Sequence, residues 1–178
     1  MGMTRTFYLV KKNGLTLEDA ENRMSKLVQM DRKSYTMFYS EKWDWISIFG
    51  TWLCEGAYNA DDDFLRSLEE TFGGDVIALS VFYRDVALVA MCRESTIYRY
   101  VNADAFMLEE FGFEEYEPSF PEGLERYGIP QEQLKALWQE KEKFTFAEEL
   151  LQELADLLHA KLVFSEDDEP EDAERICF

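Results

Sequence analysis

Strand-like and helix-like patterns of apolar residues alternate along residues 1–100. Short runs rich in apolar residues and separated by turns or helices predict strands at 4–10, 35–39, 43–49, 76–83, 86–92 and 96–101. Apolar positions spaced as on one face of a helix predict two amphipathic helices among these strands. The first follows Thr16-x-x-Asp19, which resembles a capping box, and runs to about residue 30. The second begins at Asp61-Asp62, which are natural N-cap residues, and ends at Gly73-Gly74.

The element order is therefore β-α-β-β-α-β-β-β. It predicts an α+β fold with a mostly antiparallel sheet of about six strands and both helices on one face. The strand at 43–49 is apolar on both faces, with Trp43, Trp45 and Phe49 on one and Ile46 and Ile48 on the other. We therefore expect it inside the sheet.

Residues 102–164 are mostly helical and acidic, and we expect them to pack on the sheet of 1–101 to complete a single domain, 1–164. The last helix is predicted by Thr145-x-x-Glu148, a capping box, followed by a continuous leucine stripe. Leu162 to Phe164 are expected to add a short strand. The remaining residues, 165–178, form an acidic tail, of which Ser165 to Arg175 are expected to be mobile.

The net charge of the chain excludes some classes of binding partner. The chain has 178 residues, with 37 acidic and 18 basic side chains and a formal net charge of -19. Residues 1–100 hold 12 basic and 15 acidic residues, a net -3, and residues 101–178 hold 6 and 22, a net -16. This balance repels phosphate backbones and anionic lipid, so direct nucleic-acid or membrane binding is not expected. No apolar run is long enough to span a bilayer and no signal-peptide pattern begins the chain, so we predict a cytoplasmic protein.

Candidate catalytic and metal-binding residues are few. Cys54, Cys92 and Cys177 are widely spaced and lack a C-x-x-C pair, and the first two lie among apolar residues, which predicts buried thiols. Cys177 is expected to be exposed. The only histidine, His159, follows the last helix, where a surface or capping role is favoured. Asp61-Asp62-Asp63 lacks the spacing of a calcium loop. We therefore predict no catalytic residue, cofactor or metal.

Residues 109–117 are the candidate partner-binding segment, because aromatic residues alternate there with carboxylates. Aromatic anchors surrounded by charge are typical of protein interfaces. The alternative is a solvated loop whose aromatic side chains hold it to the sheet. The residues of this segment considered for partner binding are Glu109, Glu110, Phe111, Phe113, Glu114, Glu115, Tyr116 and Glu117.

A hairpin motif resembles one found in other chains. Residues 76–90 (VIALSVFYRDVALVA) and 97–101 (IYRYV) resemble a segment of a group of uncharacterised acidic bacterial proteins, and the resemblance extends to 146–155 (FAEELLQELA). Asp85-Val86 matches the turn of that group, whereas Tyr83-Arg84 replaces its smaller or acidic residues. In acidity, size and lack of catalytic motifs the group resembles the immunity proteins that bacteria encode beside polymorphic toxins. The resemblance implies a non-enzymatic protein with a protein partner.

Two functions remain open. The first is a non-enzymatic acidic module that binds a basic protein, such as an immunity-type inhibitor of a nuclease toxin, because its negative field steers a basic partner. The second is a small-molecule-binding domain or enzyme with a pocket between the sheet and the C-terminal helices, lined by Trp43, Trp45, Trp52 and Tyr58. For the tryptophans, packing in the core is the simpler interpretation. The apolar content also leaves open a subunit of a larger bacterial assembly or a homodimer, and the sequence does not indicate an oligomeric state. The alternative interpretation of the negative charge is that it keeps the protein soluble and serves no partner.

Overall fold

The computed structural model describes residues 5–31, 33–50, 61–113, 116–117, 119–139, 144, 146–164 and 169–178. The strands are β1 (Arg5–Lys11), β2 (Tyr35–Tyr39), β3 (Trp45–Gly50), β4 (Val76–Phe82), β5 (Val86–Arg93), β6 (Thr96–Asn102) and β7 (Glu174–Cys177). The helices are α1 (Leu17–Asp31), α2 (Asp62–Phe72), α3 (Ala105–Phe111), α4 (Gln131–Gln139) and α5 (Ala147–Leu157), with a 3-10 helix at Glu122–Tyr127.

The strands form one antiparallel sheet in the order β6-β5-β4-β1-β3-β2-β7. The α+β class and the element order of the first hundred residues are confirmed. β3 lies between β1 and β2, as its two apolar faces predict. Trp45 and Phe49 face one layer of the core, and Ile46 and Ile48 face the other.

The first layer of the core is built from α1 and α2. Their buried side chains, including Met24 and Leu65, pack against the sheet face that carries Ile46 and Ile48. The predicted helix ends are confirmed. Thr16 and Asp19 exchange backbone and side-chain hydrogen bonds at the start of α1. Asp61 caps α2 by accepting from two backbone N–H groups, and Gly73 ends it with φ of 70°.

The opposite face of the sheet is covered by α4, α5 and the 3-10 helix. Trp45 and Trp138 are buried in this second layer, and Trp43 is buried in a small cluster with Phe38 and Val163. Core packing is thus confirmed for these three tryptophans. Thr145, the predicted cap of the last helix, lies outside the described residues, and Phe146 precedes α5 without a capping side chain.

Two predictions for the C-terminal part are wrong. Glu174 and Arg175, at the end of the segment predicted to be mobile, form β7 together with Ile176 and Cys177, and β7 extends the sheet beyond β2. The Phe178 N–H donates to the Tyr35 carbonyl at 2.8 Å, and the half-buried Ile176 and Phe178 pack against the α1–α2 layer. Apolar contacts and strand pairing therefore hold residues 174–178 against the sheet, although the number of charged residues in this segment predicts that it is solvated. Conversely, Leu162 to Phe164 form no strand, although Leu162 and Val163 are buried.

Candidate functional site

The predicted partner-binding segment divides into exposed and buried side chains. Glu109 and Glu110 are exposed on α3, and Phe111, its last residue, is partly exposed. Glu117 is exposed, and its backbone N–H donates to the Arg99 carbonyl of β6 at 2.9 Å. Glu114 and Glu115 lie outside the described residues.

Two aromatic residues of the segment belong to the core. Phe113 and Tyr116 are both buried, in a cluster with the β4, β5 and β6 residues Phe82, Val86, Leu88 and Val101. The Phe113 and Tyr116 rings meet edge to face with centroids 6.0 Å apart. These two side chains therefore hold the segment against the sheet, which leaves Phe111 as its described aromatic residue at the surface.

The β4–β5 turn lies beside Phe111. The Tyr83 ring stacks on the Phe111 ring, with centroids 5.9 Å apart and planes at 20°, and both rings meet Phe82 edge to face. Tyr83 and Arg84 have φ of 53° and 70°. The left-handed region costs a residue with a side chain about 1–2 kcal/mol, and Asn-Gly is the usual pair in such turns.

Arg84 joins this turn to the start of α5. Its carbonyl accepts from the Ala147 N–H at 2.7 Å, and its Nε lies 3.5 Å from Glu148 Oε1. The guanidinium carbon lies 5.2 Å from the centroid of the Phe146 ring, a cation–π distance. A cavity of about 180 Å³ opens here, and its lining includes Arg84, Phe146 and Asp104, the N-cap residue of α3.

We call this end of the molecule the hairpin-end surface and define it by four exposed aromatic residues: Tyr83, Phe106, Phe111 and Phe146. Their exposed fractions are 47%, 68%, 37% and 41%. Among the described residues these are four of the six large apolar side chains that are exposed, the others being Met30 and Tyr98. Exposed large apolar groups that lie together, unlike scattered ones, indicate an interaction site.

Carboxylates accompany these aromatic side chains. Asp85 and Asp104 line the 180 Å³ cavity, and Glu109 and Glu110 project from α3. All four are exposed. α3 has seven residues and is about 10 Å long; Phe106, Glu109 and Glu110 share one face of it, and Phe111 lies about 140° around the helix from Phe106. The hairpin-end surface therefore carries both exposed aromatic side chains and exposed carboxylates.

The sequence pointed to Glu109, Glu110 and Phe111 of α3 and did not point to Tyr83, Phe106 or Phe146. Tyr83 carried a usable signal, because the three-residue turn Tyr83-Arg84-Asp85 contains neither Gly nor Asn. The exposure of Phe106 and Phe146 is known only from the structure, since the sequence does not show which aromatic side chains remain outside the core.

The cysteines and the histidine that were considered for catalysis or metal binding are not part of the hairpin-end surface. Cys92 is buried, and its burial, together with a smaller effect of its hydrogen bond to Glu69, raises the pKa of its thiol to about 12. Cys177 is exposed, and Cys54 lies outside the described residues. His159 is exposed, has φ of 58°, and lies with Nδ1 3.7 Å from Asp44 Oδ2. In the described part of the chain, no three His, Cys, Asp or Glu side chains are grouped as metal ligands.

The two described tryptophans that were predicted to line a pocket, Trp43 and Trp45, do not lie together. Trp45 lies against Lys11 and Tyr127, whereas Trp43 packs with Phe38 and Val163, in a separate cluster. Trp52 and Tyr58 lie outside the described residues.

Two further findings concern the chain as a whole. Within the ranges that the structure describes, no helix is both long and apolar enough to cross a bilayer. Comparison of the chain with protein-family models, curated proteins and solved structures finds no significant match.

Proposed function

We propose that this protein is a non-enzymatic binding module that recognises a basic protein through its hairpin-end surface. The observation that carries the proposal is the coincidence of the four exposed aromatic side chains with exposed carboxylates at one end of the sheet. Aromatic side chains supply most of the energy of many protein interfaces when they enter a partner's pockets. The surrounding carboxylates favour a partner of positive charge.

The charge of the whole chain supports a basic partner. A net charge of -19, with -16 in residues 101–178, creates a negative field that speeds the approach of a basic protein. Glu109 and Glu110 form no ion pair with any residue that the structure describes, so a partner's cations can approach them without displacing an internal one.

An inhibitor of a toxin fits this chemistry. A basic nuclease binds phosphates in a positively charged cleft, and an acidic protein can occupy such a cleft in place of the nucleic acid. We therefore propose an immunity-type inhibitor that acts in the bacterial cytoplasm, in keeping with the resemblance of the β4–β5–β6 hairpins to acidic bacterial proteins of that kind.

The test begins with affinity capture from a lysate of the source organism and elution with rising salt. The purified partner is then measured against variants by surface plasmon resonance. Glu109→Gln/Glu110→Gln removes two charges from the hairpin-end surface, and Glu18→Gln/Glu70→Gln removes two exposed charges from α1 and α2. The two double variants have the same net charge, so any difference between their association rates shows that the position of the removed charges matters.

We expect the α3 variant to associate more slowly and with weaker salt dependence, and the α1–α2 variant to change association only slightly. Tyr83→Ala and Phe111→Ala should each weaken binding at least tenfold, chiefly through faster dissociation. Failure to retain a basic protein, or equal effects of both double variants, would overturn the proposal.

A further inference from the structure

A second surface feature lies at the other end of β5. A cavity of about 220 Å³ opens on the sheet face that α4 and α5 cover, between β5, β6 and the 3-10 helix. Met91 of β5 and Tyr98 of β6 are opposite each other in the strand pairing, and Tyr100 lies two residues further along β6. Tyr127 of the 3-10 helix adds a third aromatic side chain to the lining. We call this cavity the β5–β6 pocket.

Three charged side chains also line the β5–β6 pocket: Arg93 from β5, and Arg126 and the exposed Glu122 from the 3-10 helix. The Nε atom of Arg126 lies 3.6 Å from Asp75 Oδ2. Arg93 is partly buried, and no carboxylate of the described residues lies within ion-pair distance of it. In a chain with twice as many acidic as basic residues, a partly buried guanidinium that forms no ion pair with the described residues is unusual.

The Tyr127 hydroxyl is fixed on one side of the pocket. It donates a hydrogen bond to Asp75 Oδ2 at 2.6 Å. Burial and this carboxylate raise the pKa of Tyr127, and the positive charges of Arg126 and Arg93 oppose the rise. The Asp75 carboxylate is therefore engaged by Tyr127 and Arg126, which leaves Arg93 as the cation available to a ligand.

We infer that the β5–β6 pocket binds a small aromatic carboxylate, with the carboxylate on Arg93 and the ring among Tyr98, Tyr100 and Met91. A guanidinium matches the geometry of a carboxylate and binds it with two parallel hydrogen bonds. Flat aromatic walls and a methionine thioether favour a planar ring. The volume lies below the 300–1,000 Å³ of pockets for larger ligands, so a single-ring compound is the expected size.

This site is separate from the hairpin-end surface. Arg93 is the last residue of β5 and Arg84 belongs to the turn that precedes it, so seven strand steps, or about 23 Å, separate the two ends of the strand. The ligand inference therefore goes beyond the proposed protein partner, and each can fail without the other.

The test is isothermal titration calorimetry with three probes. These are 3-phenylpropanoate, which has the ring and the carboxylate, 2-phenylethylamine, which has the ring and a positive charge, and inorganic phosphate. We expect 3-phenylpropanoate to bind the wild-type protein and the other two to bind at least tenfold more weakly. Equal binding of the amine, tighter binding of phosphate, or no binding of 3-phenylpropanoate would overturn the inference.

Variants locate the bound probe. Arg93→Gln should raise the Kd for 3-phenylpropanoate at least tenfold, and Arg93→Lys should restore part of the affinity because it keeps the charge. Tyr98→Ala removes a partly exposed ring and should weaken binding with Arg93 intact. Arg66→Gln, on α2 at the other face of the sheet, is the matched control and should bind as the wild type does. Thermal melts establish folding, and unchanged affinity in Arg93→Gln would contradict the assignment.

Discussion

An ion pair between α2 and the edge strand β6 allows a sharp test of how the fold is held together. Arg99 donates a hydrogen bond to Asp62 in the first turn of α2. The Arg99 side chain is only 11% exposed, whereas Asp62 is 43% exposed. The Arg99 guanidinium also lies over the Tyr116 ring, at 5.8 Å. Burial alone disfavours the charged form of Arg99, but the Asp62 carboxylate outweighs it, so the pKa of Arg99 is raised.

Asp62→Ala should destabilise the protein by about 1.5–3 kcal/mol. Removing one partner from a buried pair costs about 3–5 kcal/mol, and the part-exposed carboxylate of Asp62 lowers that figure toward the value of a single charged hydrogen bond. The matched control is Asp63→Ala, since Asp63 lies in the same helical turn but is 99% exposed. It removes the same charge from the same helix end, and it should cost no more than about 0.5 kcal/mol.

The assay is urea unfolding at pH 7, followed by circular dichroism and tryptophan fluorescence. The difference between the two variants isolates the contact with Arg99, because helix propensity and the charge at the helix end change equally in both. The single variant Arg99→Met and the double variant Arg99→Met/Asp62→Ala complete a mutant cycle, in which we expect a coupling of about 1–2 kcal/mol. Equal destabilisation by Asp62→Ala and Asp63→Ala would refute a structural role for this pair.

Two further predictions concern titration and thiol reactivity. Hydrogen bonds from Thr16 hold the pKa of Asp19 below its usual value, so this carboxylate stabilises the fold above its unfolded pKa, and the stabilisation is lost as pH falls through the folded pKa. Asp19→Asn should therefore lower the melting temperature at pH 7 and have little effect at pH 2; an equal loss at both pH values would contradict this. Iodoacetamide at pH 8, read by peptide mass mapping, should label the exposed Cys177 and leave Cys92 unmodified, because burial and Glu69 keep Cys92 a thiol; rapid labelling of Cys92 in the folded protein would count against its burial.

Periodicity and capping residues predicted the central sheet well, because both report local and one-sided burial. β3 shows this, since its alternating side chains sort into the two layers as its sequence pattern requires. Asp61 and Gly73 mark the ends of α2 for a similarly local reason, the hydrogen-bonding needs of helix ends. Such signals do not depend on which distant segment completes the core.

Predictions failed where a distant segment decided the outcome. The acidic residues around Glu174 predict a solvated tail, yet the edge of β2 offers free backbone groups, and Ile176 and Phe178 find apolar surface there. Charge on an edge strand is compatible with pairing on its other side and protects the new edge from further association. Composition alone cannot show that β2 lacks a neighbour, because that fact belongs to the topology of the sheet.

The hairpin-end surface combines both situations. Its aromatic side chains come from the β4–β5 turn, α3 and the start of α5, and only the folded sheet brings these segments together. The local sign was the pair Tyr83-Arg84, which adopts left-handed backbone conformations that Asn-Gly would adopt at lower cost. Strain of about 1–2 kcal/mol per residue persists where the side chains serve another purpose. The β5–β6 turn, Glu94-Ser95, has the same left-handed backbone. The contacts of Tyr83 with Phe111 and of Arg84 with the start of α5 are therefore what favours the end of the molecule where we place the partner.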